Sequence, residues 1–294
     1  MSFWTDARVR QTLQLSLEPR DLTFTSVGTD SRTIEKGALF VALRGQQFDG
    51  HAYLADVASK GARGAVVQDV PKDAPKSLAY YPVADTQQAL GRLGRARRRA
   101  LTARLCAVTG SNGKTTTKEM LRAVLGTRYR VHATTGNLNN LIGTPLTLLA
   151  APDDAEVLVI ELGTSLPGEI AQLAAMVEPD AAVVTGISEE HLEGLGDLQG
   201  VLKEETAILH ALKANGFAVV ADDPAVLADE ARAVLRSDGS VHVAGWTARA
   251  DDDLRATDVR LDEHGEVHFG WNDLSVHVPL RGRHNARNAL IALG

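Results

Sequence analysis

The sequence predicts an α/β protein in which a small mixed α/β amino-terminal domain precedes a central domain with a mostly parallel sheet and an additional β-hairpin region. Three observations predict it. After Leu105, apolar and β-branched runs alternate with helix-length segments, the pattern of strands covered on both faces by crossover helices. A glycine-rich turn ending in lysine and threonine joins the first of those strands to a good helical sequence. Between Thr257 and Leu280, two runs of alternating polarity flank His264-Gly265, a hairpin signal.

Composition agrees with that class. A chain of 294 residues holds about two domains. With 44% hydrophobic and 23% charged residues it can bury a core, which excludes disorder and coiled coil. The net charge of −6 argues against nucleic-acid backbone or an anionic membrane as partner. The single cysteine, Cys106, cannot form an internal disulfide and so fits a reducing compartment. The amino terminus has no apolar stretch long enough for a signal peptide, and no run approaches the ~20 residues of a membrane span. The expectation is a cytoplasmic monomer acting on small molecules.

In chain order, Gly37 precedes the apolar run Ala38–Leu43, which reads as a buried strand ended by Arg44-Gly45. A helical stretch over Tyr53–Ser59 stops near Gly61, and Gly64–Val67 reads as the next strand, within a first domain spanning 1–84. Leu90, Leu93, Ala96 and Leu101 fall near helical spacing, which predicts a linker helix over 85–104. Its arginines, Arg92, Arg95, Arg97, Arg98 and Arg99, form a solvated face or, alternatively, meet a phosphorylated partner. The central domain, 105–294, carries strands at Leu105–Gly110, Val157–Gly163, Ala181–Ile187, Phe217–Asp223 and Val241–Trp246. Sheets of this kind place ligands at the carboxyl ends of their strands. The sequence stops in a helical run after Asn285 with no stop chemistry beyond Gly294, and a truncated chain is the expectation.

Gly110-Ser111-Asn112-Gly113-Lys114-Thr115, followed by Thr116, makes the central domain a P-loop type. Glycines let the loop curl so that its N–H groups face phosphate oxygens, and the helix amino terminus adds its dipole. Lys114 then neutralises the β- and γ-phosphates, and the Thr115 hydroxyl holds Mg²⁺. Val108 stands where the common pattern has its first glycine, so the loop is a shorter G-x-x-G-K-T form. Glu161 ends an apolar strand, where a carboxylate is costly unless it meets a cation; it is a Mg²⁺ ligand or a capped, salt-bridged glutamate. His191 follows the Ala181–Ile187 strand, and is either solvated or part of the same edge. Thr135, Asn137, Asn139, Asn140 and Thr144 form turns or receive a polar, sugar-like or phosphorylated substrate.

GSNGKTTTKEM, GNLNNLIGTPLTLL, ELGTSLPGEI and GRHNARNAL together resemble the Mur ligase family. The segment Thr29–Leu54 is similar to the uridine-nucleotide-binding domain of two of its members, and the GNLNN and ELG–GEI versions favour the member that adds D-alanyl-D-alanine. The resemblance implies an ATP-dependent ligase that joins D-Ala-D-Ala to UDP-N-acetylmuramoyl-tripeptide through an acyl phosphate, in peptidoglycan precursor synthesis. By motif match, Lys114 contacts the phosphates, Thr115 and Glu161 hold one Mg²⁺ and His191 a second. Asn137 and Asn140, beside Thr135, face the muramoyl or phosphate portion; Ser31, Arg32, Asp49, Gly50 and His51 lie near the UDP end. His284, Asn285 and Asn288 match the segment on the adenine side of ATP.

Three departures from the family pattern stand out. The family often carries a CO₂-carbamylated lysine about fourteen residues beyond the histidine, where this chain has Glu205. The expectation is that the Glu205 carboxylate replaces the carbamate, with a carbamylated Lys203 as the rival. The asparagine usually found before the Asp-Asp-Pro turn is absent from the run Val219–Pro224. The family's third, Rossmann-like domain has no counterpart in the sequence, which predicts substrate binding with ligation weak or absent for this chain alone. The competing readings are a non-catalytic nucleotide-binding fragment, the third-residue-adding ligase, folylpolyglutamate synthase, and a P-loop kinase or ATPase, the last opposed by the amino-terminal domain.

Overall fold

Alternate residues along Leu39–Val41 and Gly64–Val67 point to opposite sides of a sheet, and both sides are apolar, so helices must cover each face. The computed structural model describes residues 2–16, 20–45, 48–189, 192–235 and 239–294. It divides into two units, Met1–Ala100 with Leu141–Ala150, and Leu101–Asn140 with Ala151–Gly294.

The first unit contains β1 (Trp4–Thr5), α1 (Asp6–Leu13), β2 (Thr23–Phe24), β3 (Val27–Gly28), β4 (Leu39–Val41), α2 (Leu54–Ser59), β5 (Gly64–Val67), β6 (Ala79–Pro82) and α3 (Thr86–Ala100). β1 and β2 pair antiparallel, and β3-β4-β5-β6 form a parallel sheet in that order. Leu39, Val41 and Val66 pack with Val9 and Leu13 of α1 and Leu90 and Leu93 of α3. Phe40, Ala65 and Val67 pack on the other face with Leu54 and Val57 of α2.

α3 corrects the linker expected over 85–104. Its stripe of Ala89, Leu90 and Leu93 is buried in the first unit's core. A Cβ on Gly94 would lie 2.8 Å from the Cα of Pro145, so the helix also touches the returning segment Leu141–Ala150. The arginine face is not wholly solvated either. Arg97 and Arg98 are buried, and the Arg97 guanidinium lies 5.1 Å from the centre of the Phe3 ring. A chain excursion that rejoins an earlier unit leaves no local pattern, which is why a contiguous boundary is what the sequence suggests.

Asp6 shows how this unit tolerates a fully buried charge. It accepts from the Tyr81 hydroxyl at 2.5 Å, Arg10 Nε at 2.9 Å and Arg20 N at 3.0 Å. Burial pulls its carboxyl upward, but those donors hold it below the ordinary aspartate value. Tyr81→Phe removes one donor from the buried carboxylate and is expected to cost about 1–3 kcal/mol in urea unfolding.

The second unit is built on β7 (Arg104–Thr109), α4 (Lys114–Gly126), β8 (Val131–Ala133), β9 (Val157–Glu161), α6 (Glu169–Val177), β10 (Ala181–Val184), α7 (Leu192–Leu195), α8 (Leu198–Thr206), β11 (Phe217–Ala221), α9 (Ala225–Leu235) and β12 (Ser240–Ala244). α5 (Gly143–Leu149) belongs to the excursion into the first unit. The six strands run parallel in the order β12-β11-β10-β7-β9-β8. β13 (Thr257–Leu261), β14 (Glu266–Trp271) and β15 (Leu274–Arg281) form an antiparallel sheet, and α10 (His284–Leu293) follows and packs on α4. The expected hairpin therefore gains a third strand, reached through a tight turn with positive φ at Asn272 and Asp273. Among the described residues, no helix is long and apolar enough to cross a membrane.

Candidate active site

The buried strand β7 delivers the chain to Gly110 at the carboxyl edge of the sheet, and α4 begins at Lys114. Gly110 and Gly113 adopt φ of +121° and +88°, conformations that side chains rarely take. Space is closed as well: a Cβ on Gly110 would lie 2.8 Å from Thr185 N, and one on Gly113 would lie 2.7 Å from Asn288 Oδ1. Asn288 is buried and donates to Asn285 Oδ1 at 3.0 Å, so α10 seats the loop from behind.

The loop's own side chains serve to shape it. Ser111 N donates to Gly186 O at 2.9 Å, and Ser188 N to Ser111 Oγ at 2.9 Å. Asn112 Nδ2 donates to Ser188 Oγ at 2.9 Å, while Thr185 Oγ1 donates to the Asn112 carbonyl at 2.6 Å. These bonds tie the turn to the segment after β10. Lys114 bends across the mouth, donating to Gly110 O at 2.5 Å and Ser111 O at 2.9 Å. Thr116 lies half-buried in the first turn of α4, and that turn's N–H groups lack helical partners.

Glu161 closes β9 beside this loop and is 2% exposed. Its Oε1 accepts from Thr115 Oγ1 at 3.2 Å and Asn139 Nδ2 at 2.9 Å. Its Oε2 is buried with no hydrogen-bond partner among the described residues, although Lys118 Nζ lies 3.7 Å away. Lys118, itself buried, donates to Thr134 O at 2.9 Å and is the cation that the sequence reading missed. Its signal was spacing: it stands one helical turn beyond Lys114. Glu161 is therefore a buried carboxylate salt-bridged through Oε2, an oxygen that accepts no hydrogen bond among the described residues.

α8 presents two adjacent buried carboxylates to different loops. Glu205 accepts from the Thr109 hydroxyl and, at 2.9 Å, from Gly110 N. Burial pushes its carboxyl above the ordinary glutamate value, against the opposing pull of Thr109, the Lys114 charge and the Gly110 amide. Glu204 accepts from Gly168 N at 2.7 Å and Ile170 N at 2.8 Å, and so caps α6. Lys203 is exposed on another face of the helix.

A second polar group lies at the ends of β11 and β12. Asp222 accepts from Trp246 N at 2.9 Å, Thr247 N at 2.7 Å and Arg287 Nε at 2.7 Å. Burial raises its carboxyl, yet the Thr247 amide and the Arg287 charge hold it below the usual value. The Arg287 guanidinium lies 4.4 Å from the centre of the Trp246 ring. Arg287 shares α10 with Asn285 and Asn288, whereas His284 is exposed.

The remaining residues singled out in the sequence divide. Thr135, Asn137 and Asn140 are exposed on the loop whose neighbour Asn139 reaches Glu161. His191 lies outside the described residues. In the first unit, Ser31, Arg32 and Gly50 line a cavity of about 460 Å³ with Phe48, Tyr53 and Ile142, three residues the sequence did not single out. Asp49 and His51 instead build the adjoining turn. His51 Nε2 accepts from Gln68 N at 2.9 Å, so Nδ1 carries the proton and donates to Asp49 Oδ1 at 2.5 Å. Both ring nitrogens are used, a commitment that sequence alone does not reveal.

Comparison with known proteins identifies the family. Residues 108–294 match the Mur ligase middle domain, and residues 23–98 the Mur ligase family catalytic domain. The chain is 38% identical to the UDP-N-acetylmuramoyl-tripeptide–D-alanyl-D-alanine ligase of Bacillus subtilis, over 91% of this chain and 57% of that one. It is also 38% identical to the Escherichia coli ligase of the same name, over 98% of this chain and 63% of the relative. Among solved structures, MurF from Acinetobacter baumannii superposes with a TM-score of 0.90 at 32% identity, covering 99% of this chain and 64% of that one. MurF from Thermotoga maritima, solved with ADP, gives a TM-score of 0.76 at 27% identity, covering 91% and 61%. The chain thus spans about three fifths of the length of the relatives it matches.

Proposed function

We propose, from the premise that this chain belongs to the Mur ligase family, that it is an ATP-dependent amide ligase adding D-alanyl-D-alanine to UDP-N-acetylmuramoyl-tripeptide. One observation supports the chemistry most: Glu161 lies buried beside the Thr115 hydroxyl at the foot of the glycine loop, its Oε2 facing Lys118 at 3.7 Å and accepting no hydrogen bond among the described residues. A hydroxyl and a carboxylate are hard oxygen donors, and a buried carboxylate oxygen that accepts no hydrogen bond among the described residues fits Mg²⁺. Thr115 and Glu161 would hold it, with His191 proposed for a second ion. Bound there, Mg²⁺ supplies positive charge that lowers the repulsion between ATP and an incoming carboxylate.

The chain's own groups account for the remaining steps. Lys114 and the first-turn amides of α4 would hold the β- and γ-phosphates, with the motif of His284, Asn285 and Asn288 assigned to the adenine side. An oxygen of the tripeptide carboxylate attacks the γ-phosphorus, the bond to the β,γ-bridging oxygen breaks, and ADP leaves. The amine of D-Ala-D-Ala then attacks the acyl carbon, loses a proton, and phosphate departs. Two anions must be brought together, so positioning and cation screening carry the catalysis. Around the first unit's cavity, the half-exposed rings of Phe48 and Tyr53 suit a planar base, and Arg32, paired with Asp30 at 2.7 Å, is the cation at its edge.

Glu205 takes the place of the carbamylated lysine in this reading, because it is the buried anion bonded to the loop while Lys203 faces outward. Intact-mass analysis finding a carboxyl adduct on Lys203 contradicts this. A folded-state value raised by burial means that ionising Glu205 costs stability as pH rises through the ordinary glutamate value. Glu205→Gln is therefore expected to match or exceed the parent in urea stability at pH 7. Its advantage should shrink as pH falls toward 4.

A steady-state assay tests the proposed activity. Phosphate release that requires UDP-muramoyl-tripeptide, ATP and D-Ala-D-Ala together supports the ligase. ATP turnover indifferent to D-Ala-D-Ala contradicts it.

A further inference from the structure

The antiparallel sheet β13-β14-β15 gathers two imidazoles and two carboxylates that the ligase chemistry does not use. His268 on β14 and His277 on β15 are direct cross-strand partners, so both rings project from one face of the sheet. The rings stack with centroids 4.3 Å apart and planes within 7°. Asp262, just past β13, spends Oδ1 on the turn, accepting from His264 N and Glu266 N, each at 2.9 Å. That fixes Oδ2 toward His268 Nε2, 3.2 Å away. On the other side, Glu266 Oε2 lies 2.8 Å from His277 Nε2.

We propose that Asp262, His268 and His277 bind a divalent transition-metal ion of the zinc type, with Glu266 steadying His277. One donor atom from each of the three lies within 4.8 Å of the other two. Around a tetrahedral ion with bonds of about 2.0–2.2 Å, donors stand roughly 3.3 Å apart, so side-chain rotation on fixed strands closes the set. Mixed imidazole and carboxylate donors favour Zn²⁺, Co²⁺, Ni²⁺ or Cu²⁺ over Mg²⁺, which separates this site from the all-oxygen pair at Thr115 and Glu161. The ion would tie the turn after β13 to both following strands. The inference is independent of the ligase reading.

The test is Zn²⁺ titration of the whole chain by calorimetry in saturating Mg²⁺, with Co²⁺ absorption as a report of nitrogen ligation. The expected result is saturable uptake of a single equivalent, weakened more than about tenfold by His268→Ala and by His277→Ala, and unchanged by His242→Ala on β12. Asp262→Asn keeps an oxygen for the two turn amides, so it guards against misfolding, and it too should weaken binding. Zn²⁺ should raise the urea midpoint of the parent and not of His268→Ala. Absence of saturable uptake, or uptake that survives both histidine substitutions, overturns the proposal.

Discussion

Lys114→Met is expected to weaken Mg·ATP binding about 10- to 100-fold and to lower the urea midpoint modestly, because the Lys114 charge also faces the buried Glu205 carboxylate. The argument is one of charge placed at a mouth already shaped by other groups. The loop's curvature comes from Gly110 and Gly113 and from its bonds to Thr185, Gly186 and Ser188, none of which involves the lysine side chain. Among the described residues Lys114 Nζ donates to the Gly110 and Ser111 carbonyls, so methionine removes a cation and keeps the stem. A hydrogen bond to a charged group is worth about 1.5–3 kcal/mol, which sets the size of the loss. Calorimetric titration with a non-hydrolysable ATP analogue reads it. Affinity within twofold of the parent would mean that the loop does not grip phosphate through this residue.

Glu161 is expected to show two separable effects. Glu161→Gln keeps an oxygen able to accept from Thr115 and Asn139, but removes the negative charge. Nucleotide affinity should then lose most of its dependence on Mg²⁺, by at least about tenfold at saturating metal. Glu161→Ala goes further, because Lys118 is buried and loses the carboxylate 3.7 Å away. Glu119 at 3.1 Å still faces that ammonium, so the cost should fall near the lower end of the ~3–5 kcal/mol usual for breaking a buried pair. Urea unfolding measures the second effect and Mg²⁺ titration of the glutamine variant the first. Full Mg²⁺ dependence in Glu161→Gln would move the metal to other ligands.

Much of the fold is legible because burial on two faces leaves a continuous apolar signature. The runs beginning near Leu105, Val157, Ala181, Phe217 and Val241 all became parallel strands, three starting at the expected residue and two one residue earlier. β8 escaped notice since it has three half-buried residues at the sheet edge, where neither apolar continuity nor strict alternation develops. α5 was hidden for a different reason: its partners Leu90 and Leu93 lie far back in the chain.

The site divides along the same line. Gly110, Lys114, Thr115 and Glu161 can be read because loop, helix start and strand end are local features. Lys118 and Asn139 become visible only when α4 and the loop after β8 converge on Glu161. His51 shows the converse, a polar residue beside a cavity whose ring is consumed by Asp49 and Gln68.

The central claim is that one cleft edge of the second unit holds both the triphosphate and its cation. A crystal grown with a non-hydrolysable ATP analogue and Mn²⁺, with anomalous data collected for manganese, tests it directly. The expected result is a manganese peak bonded to Thr115 Oγ1 and a Glu161 carboxylate oxygen, with Lys114 Nζ on the β- or γ-phosphate. Phosphates seated away from the Gly110–Lys114 loop, or manganese bound without Glu161, would contradict it.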